Sequence, residues 1–143
     1  MKVIFLCTAN SCRSQMAEAW ARSIFPPSWE IASAGLITYP ITDSTRAAMA
    51  EVGLDMAGQR SQSIDEYDLD AFDLVVTLSS QSTRFLPLLK DPSRHRAHPM
   101  SDPMSVKGSP EEVVRAFAAG RDCIEALVRN LLTEHSPGPP SPD

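Results

Sequence analysis

The 143 residues amount to one domain and leave too little length for a second. A hydrophobic content of 43% excludes a wholly disordered chain, and a net charge of −5 gives no broad electrostatic footprint for nucleic acid. No run approaches the ~20 apolar residues of a membrane span, Met1 to Leu6 is too short for a signal peptide, and an odd number of cysteines argues against a secreted disulfide framework, so a cytoplasmic location away from membranes is expected.

Lys2 to Leu6 is an apolar β-type run, apolar on both faces as the centre of a covered parallel sheet requires. Ser14 to Phe25 has helical periodicity and is ended by Pro26-Pro27. Glu30 to Ala34 reads as a short strand closed by Gly35. Thr42 to Val52 reads as a helix with Thr42 or Asp43 as N-cap and Gly53 past its end. Asp73 to Leu78 is a second buried-type strand, and Ser80 to Leu89 a short helix broken at Pro87. Arg94 to His98 is a weak strand, and Glu111 to Leu132 the longest helix, with Pro110 at its start. Residues 1–134 form the expected domain. Residues 135–143, with Pro137, Pro139, Pro140 and Pro142, cannot continue a helix and read as a disordered Pro-rich tail.

Strands alternating with helices indicate a single α/β domain with a parallel sheet, and such sheets bind ligands at the carboxyl ends of their strands. The loop after the first strand reads Cys7-Thr8-Ala9-Asn10-Ser11-Cys12-Arg13-Ser14 and runs straight into a helix. There, backbone N–H groups of loop and helix start can converge on a tetrahedral oxyanion. Arg13 can clamp it with a forked guanidinium. Cys7 would sit in the same positive field, which favours the nucleophilic thiolate, and Ser14 can donate a hydrogen bond to it. Asn10 is expected to take a left-handed conformation and pin the loop.

The stretch Val3 to Glu18, VIFLCTANSCRSQMAE, resembles the low-molecular-weight protein tyrosine phosphatase superfamily, and Ser14-Gln15-Met16-Ala17-Glu18 looks like its arsenate reductase branch. Ser33-Ala34-Gly35, Met49 to Asp55, Asp73 to Leu78 and Asp102-Pro103 continue the resemblance over roughly residues 2 to 133. It implies a four-stranded parallel sheet flanked by helices in flavodoxin-like layers. It also implies Cys7 as nucleophile, Arg13 as oxyanion clamp, Asp102 as general acid and Ser33 as the partner that orients Asn10. Arsenate and phosphate-like oxyanions are the ligands implied. Two alternatives remain: a phosphatase working through a phosphocysteine, and a non-catalytic oxyanion-binding module.

Phosphatases of this superfamily usually carry aromatic residues after the Asp-Pro pair. Here Met104-Ser105-Val106-Lys107-Gly108 follow, which suits a small inorganic ion better than a phosphotyrosine ring. A reductase needs a second thiol. Residues 79–90, where similar thioredoxin-coupled reductases carry cysteines, hold none. Cys12 is the candidate second thiol within the chain. Cys123 lies at the edge of the stripe Val113, Phe117, Ile124, Leu127 and Leu131 and is expected to be packed. An external reductant is therefore expected, a small thiol with a glutaredoxin-like protein rather than thioredoxin, and no tightly bound cofactor. Asn10, Glu18 and Ser33 match the potassium site of some similar reductases. Gln59-Arg60-Ser61-Gln62 departs from it, so no metal is expected and Arg60 would supply the positive charge. The cations Arg84, Lys90, Arg94 and Arg96 read as a solvated basic face.

Overall fold

The computed structural model describes residues 1–136. Four strands form one parallel sheet: β1 (Lys2–Cys7), β2 (Glu30–Gly35), β3 (Leu74–Thr77) and β4 (His95–Ala97), in the spatial order β2-β1-β3-β4. The helices are α1 (Arg13–Ile24), α2 (Asp43–Ala50), α3 (Ser80–Arg84) and α4 (Pro110–His135). This is the α/β architecture expected. Strand β1 sits in the middle because both of its faces are apolar. Val3, Phe5 and Cys7 join the core shared with α1, α2 and α4, while Ile4 and Leu6 join a second core with Leu69, Phe72, Val75 and Leu89. The long helices cover only the first of these faces. The second is closed by Leu86 and Leu89 from the segment after α3 and by short 3-10 turns at Ile64–Glu66 and Leu69–Ala71, which residue periodicity does not signal.

The element ends move for local reasons. Helix α2 stops at Ala50 because the Gly53 N–H caps Ala50 O and the Leu54 N–H caps Met49 O, with Gly53 at φ +78°. That left-handed position is one glycine takes without strain. Helix α3 ends at Arg84, since a residue preceding Pro87 is held out of the helical region. Ser109 caps α4 through the Glu112 N–H, with Pro110 at the first helical position. That helix runs to His135, one residue into the expected tail, and residues 137–143 lie outside the described residues.

The strand order turns back on itself at β1: β2 lies on one side of it and β3 on the other. The chain leaving the carboxyl end of β1 therefore enters a crevice between diverging connections, where α/β sheets place their ligands.

Candidate active site

The loop from Cys7 to Ser14 wraps the top of β1. Its shape follows from where its carbonyls go. The amides of Leu36, Ile37 and Tyr39 donate to the carbonyls of Cys7, Thr8 and Ala9 at 3.3, 3.0 and 3.0 Å. A trans peptide points its N–H opposite its C=O. Tying these carbonyls to the 36–39 segment therefore turns the amides of Thr8, Ala9 and Asn10 to the opposite side. Helix α1 begins at Arg13 with Cys12 as N-cap, and Cys12 supplies no side-chain cap. The first helical amides are thus left for an outside acceptor.

Asn10 adopts φ +50°, the left-handed conformation expected of it. Its side chain is fully buried and uses all four hydrogen-bonding positions. Nδ2 donates to Ser14 Oγ at 2.8 Å and to Ser33 Oγ at 3.0 Å, while Oδ1 accepts from Gln15 Nε2 at 2.8 Å and from the Gln62 amide at 2.7 Å. Ser14 Oγ lies 2.8 Å from Cys7 Sγ. Asn10 donates to that hydroxyl, whose own hydrogen is free to be donated to a Cys7 thiolate. Ser33 Oγ in turn donates to Glu18 Oε1 at 2.6 Å. A continuous hydrogen-bonded network thus links Glu18, Ser33, Asn10, Ser14 and Cys7, with Asn10 donating in both directions.

Arg13 is almost fully buried. Its Nη1 donates to Met100 O at 2.8 Å, and Nη2 lies 3.7 Å from Asp102 Oδ2. With Nη1 committed to Met100, the Nε–Nη2 edge is the fork left for an oxyanion. Asp102 caps the 3-10 turn Pro103–Ser105, its Oδ1 accepting from the Met104 amide at 2.9 Å. Cys7, Thr8, Ala9, Ser11, Cys12, Arg13, Asp102 and Met104 line one pocket of about 80 Å³. Residues of the Cys7–Arg13 loop, Asn10 excepted, and Asp102 from far along the chain thus face one another across it. Ser14 and Ser33 stand behind it.

Cys12 lines the pocket wall but is buried at 2% exposure. Burial pushes its thiol up to about 12, only partly offset by a hydrogen bond with Thr45. It therefore holds its proton at neutral pH and attacks poorly.

Several placements depart from the sequence reading. Cys123 is exposed, not packed. The buried stripe of α4 is Phe117, Gly120, Arg121, Ile124, Val128 and Leu131, rotated away from Cys123 and leaving Leu127 only partly covered. Arg60 does not stand at the Asn10–Glu18–Ser33 cluster; it is exposed and pairs with Glu66 at 3.3 Å. The cation at Glu18 is Arg22, one helical turn on, with Nε 3.0 Å from Glu18 Oε2. Of the basic stretch, Arg94 is half-buried and donates to Phe72 O at 3.1 Å, so it ties β4 to the turn before β3 as well as facing solvent.

Sequence reasoning missed Gln15, which is fully buried and bonds Asn10 while accepting from Gln59 Nε2 at 2.8 Å. A polar residue one position past Ser14 at a helix start was the available signal. It also missed the role of the Met100 carbonyl, which no side-chain pattern reveals.

The family model for low molecular weight phosphotyrosine protein phosphatase matches residues 2–136. The chain belongs to this family. Within it, an arsenate reductase of Halalkalibacterium halodurans is 37% identical over 130 residues, 90% of this chain and 93% of that protein. One from Bacillus subtilis is 38% identical over 120 residues, 84% of this chain and 86% of that one. Among solved structures, an arsenate reductase in the phosphate binding state superposes with a TM-score of 0.78 at 29% identity, covering 94% of this chain and 98% of that one. The family fold is equally evident against a low molecular weight protein tyrosine phosphatase from T. tengcongensis, with a TM-score of 0.78 at 22% identity, covering 94% and 99%.

Proposed function

We propose that this member of the family reduces arsenate to arsenite. The observation that carries the reading is the identity of 37% to 38% with arsenate reductases across most of both chains. The small pocket around Cys7, Arg13 and Asp102 fits that substrate.

In the proposed sequence the loop amides and the Arg13 fork hold three oxygens of the oxyanion, as pre-aligned donors do best. The Cys7 sulfur, with the Ser14 hydroxyl beside it, attacks arsenic. An S–As bond forms, an As–O bond breaks, and Asp102 gives the departing oxygen its proton so that it leaves as water. A second thiol then attacks Cys7 sulfur. The new S–S bond forms as the S–As pair withdraws onto arsenic, which falls from the pentavalent to the trivalent state and leaves as arsenite. The Cys7 mixed disulfide is reduced by a further thiol.

The second thiol comes from outside. Cys12 holds its proton, and Cys123 is on α4, outside the pocket-lining set. A small thiol reaches the adduct, and a glutaredoxin-like protein, rather than thioredoxin, releases Cys7. Three free cysteines suit the reducing cytoplasm, where we place the reaction. Among the described residues no helix is long and apolar enough to cross a membrane.

Purified protein should release arsenite from arsenate with glutathione and glutaredoxin, and hydrolyse p-nitrophenyl phosphate far more slowly. Phosphate ester hydrolysis without arsenite release would instead favour a phosphatase. Cys12→Ser and Cys123→Ser should each keep most of the glutathione-dependent rate. An inactive Cys12→Ser, together with a parent enzyme sustained by thioredoxin alone, would make the loop pair the redox couple.

A further inference from the structure

We propose that Gln15 is a positioning residue for the Cys7 nucleophile: its side-chain amide fixes which way the Asn10 amide faces, and so keeps the Ser14 hydroxyl hydrogen available to the sulfur. This rests on the reading of Cys7 as nucleophile and adds the residue that sets the polarity of the bonds behind it.

The two ends of an asparagine amide have nearly the same shape, so its partners decide where oxygen and nitrogen go. Asn10 Nδ2 faces the hydroxyls of Ser14 and Ser33. Hydroxyls donate or accept and fit either orientation; only the bond from Ser33 to Glu18 biases them. The other end is not ambiguous. Asn10 Oδ1 meets the Gln62 backbone N–H at 2.7 Å and Gln15 Nε2 at 2.8 Å. The orientation of Gln15 is itself dictated by backbone carbonyls, which can only accept. Its Nε2 lies 3.2 Å from Asn10 O and 3.0 Å from Arg60 O, while its Oε1 accepts from Gln59 Nε2 at 2.8 Å. Gln15 therefore bears on both donors at Asn10 Oδ1. It is one of them, and through Arg60 O it anchors the segment that carries the other, Gln62.

Reversal of the Asn10 amide would put its oxygen at Ser14 Oγ. The Ser14 hydrogen would then go to Asn10, and a Cys7 thiolate, 2.8 Å from that hydroxyl oxygen, would face a lone pair instead of a donor. The anion clamp would stay in place, because the 36–39 segment holds the loop carbonyls and Met100 O holds Arg13. Gln15 thus acts on the charge of the attacking sulfur and not on anion affinity.

Alkylation by iodoacetamide, read at Cys7 by tandem mass spectrometry, tests this without turnover. Gln15→Met keeps the length of the side chain and removes its donors. It should slow Cys7 alkylation at pH 7 about tenfold, the scale of one hydrogen bond to a charged group. The rate at pH 10, where a thiol ionises unaided, should stay close to that of the parent. Arg13, Asp102 and Cys12, the charged and titratable groups that line the pocket with Cys7, are the same in every variant. Gln15→Glu, which sets a carboxylate against the two carbonyls, should be slower still at pH 7. In a Ser14→Ala background Gln15→Met should have no further effect, since it acts through that hydroxyl. Calorimetric phosphate binding should stay within a few-fold of the parent. The proposal is overturned if the pH 7 rate is unchanged, if the pH 7 and pH 10 rates fall together, or if the effect persists in Ser14→Ala. Loss of phosphate binding in both Gln15 variants also overturns it, and makes Gln15 a support of the loop's shape. A parent whose Cys7 reacts at pH 7 no faster than exposed Cys123 removes the nucleophile reading itself.

Discussion

Asp102→Asn should lower arsenate turnover by roughly 10²–10⁴, the usual contribution of a positioned general acid, and leave anion affinity nearly unchanged. The amide keeps the size of the carboxyl, and its oxygen can still accept from the Met104 amide, so the turn is retained. It has no proton to give, so the loss falls on the step in which the departing oxygen must become water. Affinity is spared because Asp102 lies 3.7 Å from Arg13 and competes with the oxyanion for that guanidinium. Arg13→Lys should behave oppositely. An ammonium cannot present the fork, nor hold Met100 O while meeting two oxygens, so binding of arsenate and phosphate should weaken together. Single-turnover rates combined with calorimetric phosphate binding separate the two roles. Equal losses of affinity in both variants would remove the distinction between acid and clamp.

The elements that specify the site locally were the legible ones. A buried strand, a cysteine, five residues, an arginine and an amphipathic helix occur within one stretch, and each makes demands on its neighbours that residue types express. Asn10 at φ +50° is such a demand met. Contacts across distant segments were not legible. Nothing in residues 103–105 announces that Met104 reaches Ser11, or that Gly120 on α4 makes room for Pro103. Cys123 shows the limit of wheel geometry: an edge position is buried or exposed according to a rotation of the helix that its partners decide. The Glu18–Arg22 pair, one helical turn apart, was missed although its i,i+4 spacing was there to be read. Arg60 looked like the relevant cation only because its chain neighbours aligned with a ligand-bearing segment; its own side chain turns outward to Glu66.

Gly35→Ala should remove anion binding and arsenate reduction and destabilise the protein, although the residue carries no functional group. Gly35 ends β2, pairs with Cys7 in the sheet, and donates its amide to Gln62 O at 2.9 Å. It is therefore fixed by neighbours on both sides. A Cβ built there would collide with Ile37 O and lie 2.7 Å from Asn10 N and 2.8 Å from Ala9 C. All three are backbone atoms, so no rotamer change relieves the contact. Either β2 withdraws from β1, or the loop moves at Ala9–Asn10. The second response breaks the pattern that aims the amides, because the 36–39 segment holds the carbonyls of Cys7, Thr8 and Ala9 from the same side. Overpacking of this kind costs about 1–3 kcal/mol where side chains can yield, and more where backbone must move. Thermal unfolding with and without phosphate reads both effects. The variant should melt lower than the parent and lose the phosphate-induced rise in Tm, since ligand stabilises only a state that binds it. A normal phosphate-induced shift in Gly35→Ala would mean that the loop tolerates the methyl group, and that its amides are not aimed by this contact.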